Sequence, residues 1–193
     1  MKSFNQCKVC SNEIEPYIPD LRLARCSNCK LIFYQELAET NDLKSIYKDL
    51  YKLNGEYQPH NDQYTQLQNG IQPRIGFNKK KVIKKIIQKR RGLDIAEIGA
   101  GVGVVANWMK KEGHHYMGFE FEEGVANKAA SLGLPIKAVG YEGLREYNDK
   151  FDAILAFEVI EHIQDLSDCL KQLNKSLKPG GYLGFTVPNT DKY

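Results

Sequence analysis

The chain lacks two features that would place it in or across a membrane. No segment of its 193 residues approaches about eighteen consecutive apolar residues, the length that a transmembrane helix needs. The first residues, Met1 to Cys7, also lack the apolar core of a secretory signal peptide. We therefore expect a protein without a membrane span that works in the reducing cytoplasm.

Cysteine is scarce, but its placement is informative. Four of the five cysteines form two C-x-x-C pairs, Cys7 with Cys10 and Cys26 with Cys29, and fifteen residues separate the pairs. This spacing predicts a tetrahedral four-thiolate zinc site, with a redox dithiol pair or an iron site as the alternatives. Because residues 1–36 contain few apolar residues, the metal would supply much of the folding free energy of this zinc ribbon.

Acidic residues are absent from one long segment. Nine of the 27 lysine and arginine residues fall between residues 71 and 91, which contain no acid, although the net charge of the chain is only +3. The remainder is acidic, so the chain as a whole is not a polycation typical of nucleic-acid-binding proteins. A helix is predicted at about 78–91, with the lysines on one face and four apolar residues on the other. These apolar residues are Val82, Ile83, Ile86 and Ile87. The lysine face is either solvated or a patch that contacts phosphates.

After this helix the pattern alternates between strands and helices. This alternation predicts a doubly wound, mostly parallel α/β sheet with helices on both faces. The predicted strands cover 93–98, 116–121, 135–139, 151–157 and 182–187, and the predicted helices cover 104–111, 124–132 and 166–177. Cys169 lies on the apolar side of the last helix and is expected to be buried, whereas His114 and His115 are expected to be exposed.

A glycine-rich run, Glu97 to Gly103, connects the first predicted strand to its helix. Glycine lets the backbone turn tightly and approach a ligand, and the helix start offers N–H donors. A dinucleotide fingerprint would need glycine at position 104, where Val104 stands, and an acid such as Glu97 suits a cationic ligand better than a pyrophosphate. Glu120 ends the second strand, where it can accept both hydroxyls of a ribose.

These motifs resemble those of the class I S-adenosylmethionine-dependent methyltransferases. The resemblance covers four stretches in the same order, residues 94–103, 118–120, 151–162 and 177–189. It implies S-adenosylmethionine as the cofactor and methyl transfer to an oxygen, nitrogen or carbon. The ribbon resembles that of the subgroup acting on sugars, surface glycans and natural products, which implies a small-molecule or glycan acceptor.

The resemblance also implies residue roles around the cofactor. The acid and glycines of the first motif would hold the amino-acid part of the cofactor. The acid after the second strand would hold the ribose, and the end of the fourth strand would lie near the methyl-sulfonium. The turn at 139–141 would lie near the adenine, without the acid that related families often place there. The implied contacts are Glu97, Gly99, Ala100, Gly101, Glu120, Phe121, Gly140, Phe157 and Glu158.

A further polar group follows the fourth predicted strand. Glu158, Glu161 and His162 would project to one side of a helical turn. They could ligate a divalent ion such as Mg²⁺, supply His162 and Glu161 as catalytic residues, or form only a structural cap. The stretch is similar to the ligand set of magnesium-dependent ubiquinone-pathway O-methyltransferases.

The methyltransferase fold normally continues into two more strands, whereas this sequence stops at Tyr193. We therefore expect a fragment or a shortened domain with an open, apolar sheet edge. Three segments are predicted: a zinc ribbon at 1–36, a linker and cofactor lid at 37–77, and a cofactor-binding domain at 78–193. Within the linker, 41–53 reads as a helix and 54–73 as a loop. The alternative functions are an RNA methyltransferase that uses the 79–91 lysines on phosphates, and a non-catalytic cofactor-binding or scaffold domain.

Overall fold

A computed structural model describes residues 2–37, 58–88 and 90–188 of the chain. The predicted helix at 41–53 lies outside the described residues. No helix in the described ranges is both long and apolar enough to cross a membrane.

The N-terminal region is a small antiparallel structure around the cysteines. Strand β1 (Lys2–Ser3) pairs with β5 (Glu36–Leu37), and a separate three-stranded sheet has the order β2-β3-β4. Its strands are β2 (Ile14–Ile18), β3 (Leu23–Cys26) and β4 (Ile32–Tyr34). Strand β4 thus begins three residues after Cys29, the last residue of the second cysteine pair. The buried core of this region holds only Cys7, Ala24, Cys26 and Phe33, so the region has little apolar surface to stabilise it.

Helix α1 (Gln58–Gln68) corrects the sequence prediction, because it occupies most of the segment predicted as a loop at 54–73. Its residues are mostly polar, and contacts with the rest of the fold stabilise it. Leu67 packs against an alanine-rich buried cluster, and Lys128 donates a hydrogen bond of 2.7 Å to Asn61 Oδ1. Tertiary packing thus overrides a weak local preference.

Helix α2 (Phe77–Ile87) confirms the predicted amphipathic helix. Ile83, Ile86 and Ile87 are buried, whereas most of the lysines are exposed. The helix ends earlier than predicted because Gln88 takes a left-handed φ of 43°, and its N–H donates a hydrogen bond to the Lys84 carbonyl.

Five parallel strands form the main sheet, in the order β10-β9-β6-β7-β8. The strands are β6 (Asp94–Ile98), β7 (His115–Phe119), β8 (Ile136–Lys137), β9 (Phe151–Phe157) and β10 (Leu177–Thr186). The connecting helices are α3 (Val104–Lys111), α4 (Glu123–Ser131) and α5 (Leu166–Ser176). The predicted doubly wound α/β fold is confirmed.

Buried cores cover both faces of this sheet. Ile83 of α2 packs with Ile95 of β6 on one face, and Leu173 of α5 packs with Ile98 on the other. Cys169 lies in the second core and is fully buried, as predicted.

The start of one strand and the burial of one histidine differ from expectation. Strand β10 already begins at Leu177 rather than at the predicted residue 182, because a register shift accommodates the segment from Pro179 to Gly181. His114 is buried rather than exposed, and its Nδ1 accepts a 3.3 Å hydrogen bond from the Leu93 amide.

Strand β10 forms one edge of the sheet. In the described part of the chain it pairs only with β9. Tyr182 and Phe185 in this strand and Val187 just after it are 45–49% exposed. The edge is apolar, as expected.

Candidate functional site

The loop between β6 and α3 turns at glycines, at the carboxyl end of the central strand. Gly99 and Gly101 have φ angles of +70° and +55°, which residues with a Cβ rarely adopt. A Cβ on Gly101 would lie 3.1 Å from Cε1 of His60. The side chain of Ala100 between them is buried, and its amide donates a hydrogen bond to the Phe119 carbonyl. The turn therefore offers close backbone approach at the edge where open α/β sheets bind ligands.

Glu120, directly after β7, joins this turn. Its Oε2 accepts a 2.8 Å hydrogen bond from the Gly101 amide, and its Oε1 accepts one of 3.0 Å from the Glu122 amide. The residue is only 8% exposed, and burial raises the pKa of its carboxyl. Each oxygen keeps a further lone pair, so the carboxylate can still accept hydrogen bonds from two hydroxyls.

Glu97 is also buried, near the end of β6. The Tyr116 hydroxyl on neighbouring β7 donates a hydrogen bond to its Oε2. Burial raises the pKa of Glu97 to about 8, which the tyrosine hydrogen bond opposes. A cation brought beside this carboxyl would favour its ionised form.

Lys79 of α2 was grouped with the solvated lysines, but the structure places it at this site. Its Nζ lies 5.7 Å from the Phe157 ring centroid. Its charge partly opposes the rise that burial causes in the pKa of Glu97, and it adds to the lowering that burial causes in the pKa of His60. A signal in the sequence could have found it, because Lys79 precedes buried Ile83 by four residues and so shares the apolar face of the helix.

His60 of α1 is the second residue that sequence reasoning missed. It lies against the glycine turn, as the clash with a Cβ on Gly101 shows. Burial, and then the charges of Lys128 and Lys79, lower the pKa of its imidazole. The polar sequence around it gave no signal, since that stretch was predicted as a loop.

Phe121 and Gly140 lie close together beyond β7 and β8. A Cβ on Gly140 would lie 3.5 Å from Cδ2 of Phe121 and 2.5 Å from Oε2 of Glu142. The turn at 139–141 contains no acid, as noted from the sequence, but the structure brings the carboxylate of Glu142 to the same place.

Glu158, Glu161 and His162 do not converge as a metal site. Glu158 is exposed, with a left-handed φ of 55°, whereas Glu161 and His162 lie on a 3₁₀ turn at Ile160–His162. Glu161 Oε1 is 3.9 Å from His162 Nε2. Within the described ranges, the four cysteines are the one group of three or more such side chains that could hold an ion.

The four cysteine sulfurs converge, as predicted. Their Sγ atoms all lie within 4.8 Å of one another, with 3.6 Å between Cys7 and Cys29 and 3.5 Å between Cys10 and Cys26. A tetrahedral zinc site with Zn–S bonds of about 2.3 Å has S–S edges of about 3.8 Å. The arrangement therefore has the dimensions of such a site.

The cysteine-rich region touches the loop after β9. Lys8, which lies between Cys7 and Cys10, donates a 3.4 Å hydrogen bond from Nζ to the Ile163 carbonyl. Burial lowers the pKa of Lys8. The contact lies one residue after the turn that carries Glu161 and His162.

A doubly wound sheet with a glycine turn after its central strand and an acid after the next strand defines an α/β protein of the nucleoside-cofactor-binding class. The sequence matches the methyltransferase domain family over residues 72–193. This match covers more than half of the chain, so the chain belongs to that family.

The curated relatives and solved structures agree with this assignment. The ubiquinone biosynthesis O-methyltransferase of Rhizobium johnstonii is 32% identical over 98 residues, covering 48% of this chain and 40% of that protein. The aligned part is therefore less than half of that relative. An S-adenosylmethionine-dependent methyltransferase from Mesorhizobium loti has a TM-score of 0.51 at 19% identity, covering 58% of this chain and 54% of that one. One from Archaeoglobus fulgidus has a TM-score of 0.52 at 20% identity, covering 58% and 52%. At these identities the structures show the shared fold.

Proposed function

We propose that the chain transfers a methyl group from S-adenosylmethionine to a small-molecule acceptor. One observation carries this proposal: the buried carboxylate of Glu120 is fixed by the amide of Gly101 at the carboxyl end of the sheet. Such a carboxylate suits the two hydroxyls of a ribose, and the adjacent glycine turn lets the backbone approach a ligand closely.

The remaining residues of the site fit the other parts of the cofactor. Glu97 is a buried acid with a raised pKa, and it suits the α-ammonium group of the amino-acid part. Lys79, within electrostatic reach of Glu97, suits the α-carboxylate. Phe121 and Gly140 would border the adenine, and Phe157 would lie near the methyl-sulfonium.

When bound, S-adenosylmethionine would supply a methyl group on a positively charged sulfur. An acceptor atom would bond to the methyl carbon in line, and S-adenosylhomocysteine would leave as the carbon–sulfur bond breaks. The chain's residues then have mainly to bind and orient the two partners. In this proposal His162 removes a proton from the acceptor and Glu161, 3.9 Å from His162 Nε2, stabilises the resulting imidazolium. The position of both residues just beyond the carboxyl end of β9 supports these roles.

The narrower proposal for the acceptor is a sugar or glycan hydroxyl. The exposed polar groups at this edge, Glu158 and His162, suit hydroxyl groups better than apolar ones. The name of the Rhizobium johnstonii relative, a ubiquinone biosynthesis O-methyltransferase, supports a small-molecule acceptor in general.

We also propose that Cys7, Cys10, Cys26 and Cys29 hold one structural zinc ion. The measured sulfur separations support this proposal, as does the small apolar core of the region. The chain would then divide into a zinc ribbon at 1–36, a linker and lid at 37–77, to which α1 contributes His60, and a cofactor-binding domain at 78–193.

Calorimetry with S-adenosylmethionine and S-adenosylhomocysteine tests the proposed function. Gly101→Val should abolish binding because valine is strained at a φ of +55° and its Cβ would press on His60, so the turn must shift. Glu120→Ala should weaken binding by roughly 1–3 kcal/mol, the range for hydrogen bonds to a charged group. Glu123→Ala is the matched control, since Glu123 is exposed on the first turn of α4. Unchanged binding by Glu120→Ala would contradict the proposal.

A further inference from the structure

An exposed aromatic side chain lies at the start of the basic helix. Phe77, the first residue of α2, is 77% exposed, and Ile71 in the preceding segment is 55% exposed. Phe77 also borders a groove of about 390 Å³, together with Arg74, Lys80 and Trp108. Moving an apolar side chain this exposed out of water and against another surface would be favourable.

Cations lie on the same side of α2 as Phe77. Lys80, Lys81 and Lys84 follow Phe77 by three, four and seven residues, so all four side chains share the solvent face of α2. Arg74 is exposed beside them, and the whole segment 71–91 contains no acid. A carboxylate from outside this segment borders the area: Glu112 accepts a hydrogen bond of 3.1 Å from Trp108 Nε1. We call Arg74, Phe77, Lys80, Lys81 and Lys84 the Phe77 face.

We propose that the Phe77 face docks onto the surface of an anionic lipid bilayer. Lysine and arginine side chains are attracted to the negative potential of such a surface, and a phenylalanine among them can enter the headgroup region.

A single-stranded nucleic acid fits the same face less well. Such a partner needs several aromatic platforms on which its bases stack, whereas Phe77 is the one aromatic residue of α2 and the neighbouring Trp108 is partly buried. One exposed aromatic ring among cations matches the mixed apolar and anionic character of a bilayer surface.

Vesicle binding tests the proposal directly. Sedimentation with phosphatidylcholine vesicles, with and without phosphatidylglycerol, should show binding only to the anionic vesicles and loss of that binding at high salt. Trp108 is the chain's single tryptophan and borders the groove, so its fluorescence should move to shorter wavelength as vesicles are added.

Two variants and two matched controls separate the contributions. Phe77→Ala should weaken vesicle binding about tenfold, because an apolar ring no longer leaves water. Lys81→Gln with Lys84→Gln should weaken it about fivefold for each charge removed. Tyr182→Ala removes an exposed ring on β10, and Lys171→Gln with Lys175→Gln removes two exposed charges on α5, which packs on the other face of the sheet from α2. Both variants should bind like the unaltered chain.

Three outcomes would overturn the proposal. The first is absence of binding to anionic vesicles at low salt. The second is an equal loss in Phe77→Ala and in Tyr182→Ala, or no loss in either. The third is binding of poly(U) RNA that is tighter than vesicle binding and is lost in the Phe77 and lysine variants, which would assign the face to nucleic acid.

Discussion

Replacing Glu97 by glutamine is expected to stabilise the fold at alkaline pH. Burial raises the pKa of Glu97 from 4.5 to about 8. Between these values the unfolded chain loses its proton while the folded chain keeps it, so stability falls as pH rises. Glutamine does not titrate, and its side-chain oxygen can still accept the hydrogen bond from Tyr116.

The size of the effect follows from the same linkage. The slope is about 1.4 kcal/mol per pH unit. Over the interval from 4.5 to about 8, the unaltered chain therefore loses on the order of 4 kcal/mol relative to Glu97→Gln. At acidic pH both side chains are neutral and nearly isosteric, and the two proteins should be similarly stable.

Urea unfolding followed by circular dichroism, at about pH 5 and about pH 8, measures this difference. Comparing variant and unaltered chain at the same pH cancels changes at the cysteine site. Glu123→Gln on the exposed surface of α4 is the control. A stability difference that is equal at both pH values, or that favours the unaltered chain at the higher pH, would refute the reasoning.

The same variant should bind S-adenosylmethionine more weakly, because an amide cannot neutralise an ammonium group.

Three further predictions concern the other sites. Cys26→Ser should lose zinc measured by elemental analysis and should unfold at lower temperature, whereas Cys169→Ala, in the sheet core, should keep its zinc. His60→Ala should weaken S-adenosylhomocysteine binding in calorimetry by about 1 kcal/mol, the size of one neutral hydrogen bond; unchanged affinity would exclude contact with the cofactor. Once the acceptor is known, His162→Ala should lower turnover and remove an ionisation from its pH profile while leaving cofactor affinity intact, and unaltered rates would leave His162 a structural role.

Elements with strong apolar patterns could be predicted from the sequence. The strand Phe151–Phe157 and the helix Val104–Lys111 lie where their patterns placed them, because a buried parallel strand is almost wholly apolar and an amphipathic helix repeats every 3.6 residues. The position of Glu120 beside the glycine turn followed from the same order of strands.

Elements that depend on distant contacts could not be predicted. The helix Gln58–Gln68 has a polar sequence, and its packing partners lie more than thirty residues further along the chain, among them Ala100 and Ala126 near Leu67. His114 is buried because the Leu93 amide and the neighbouring core enclose it, and no local pattern reports that enclosure.

Local residue types and spacings alone determined the family, the succession of strands and helices along the chain, the glycine turn and the two C-x-x-C motifs. The tertiary structure decided which charged side chains leave water. It buried Glu97 against Tyr116 and brought Lys79 and His60 to the glycine turn. It left Glu158 apart from the turn that carries Glu161 and His162. Desolvation and the pKa of a side chain depend on everything that surrounds it in space, and much of that surrounding comes from distant parts of the sequence.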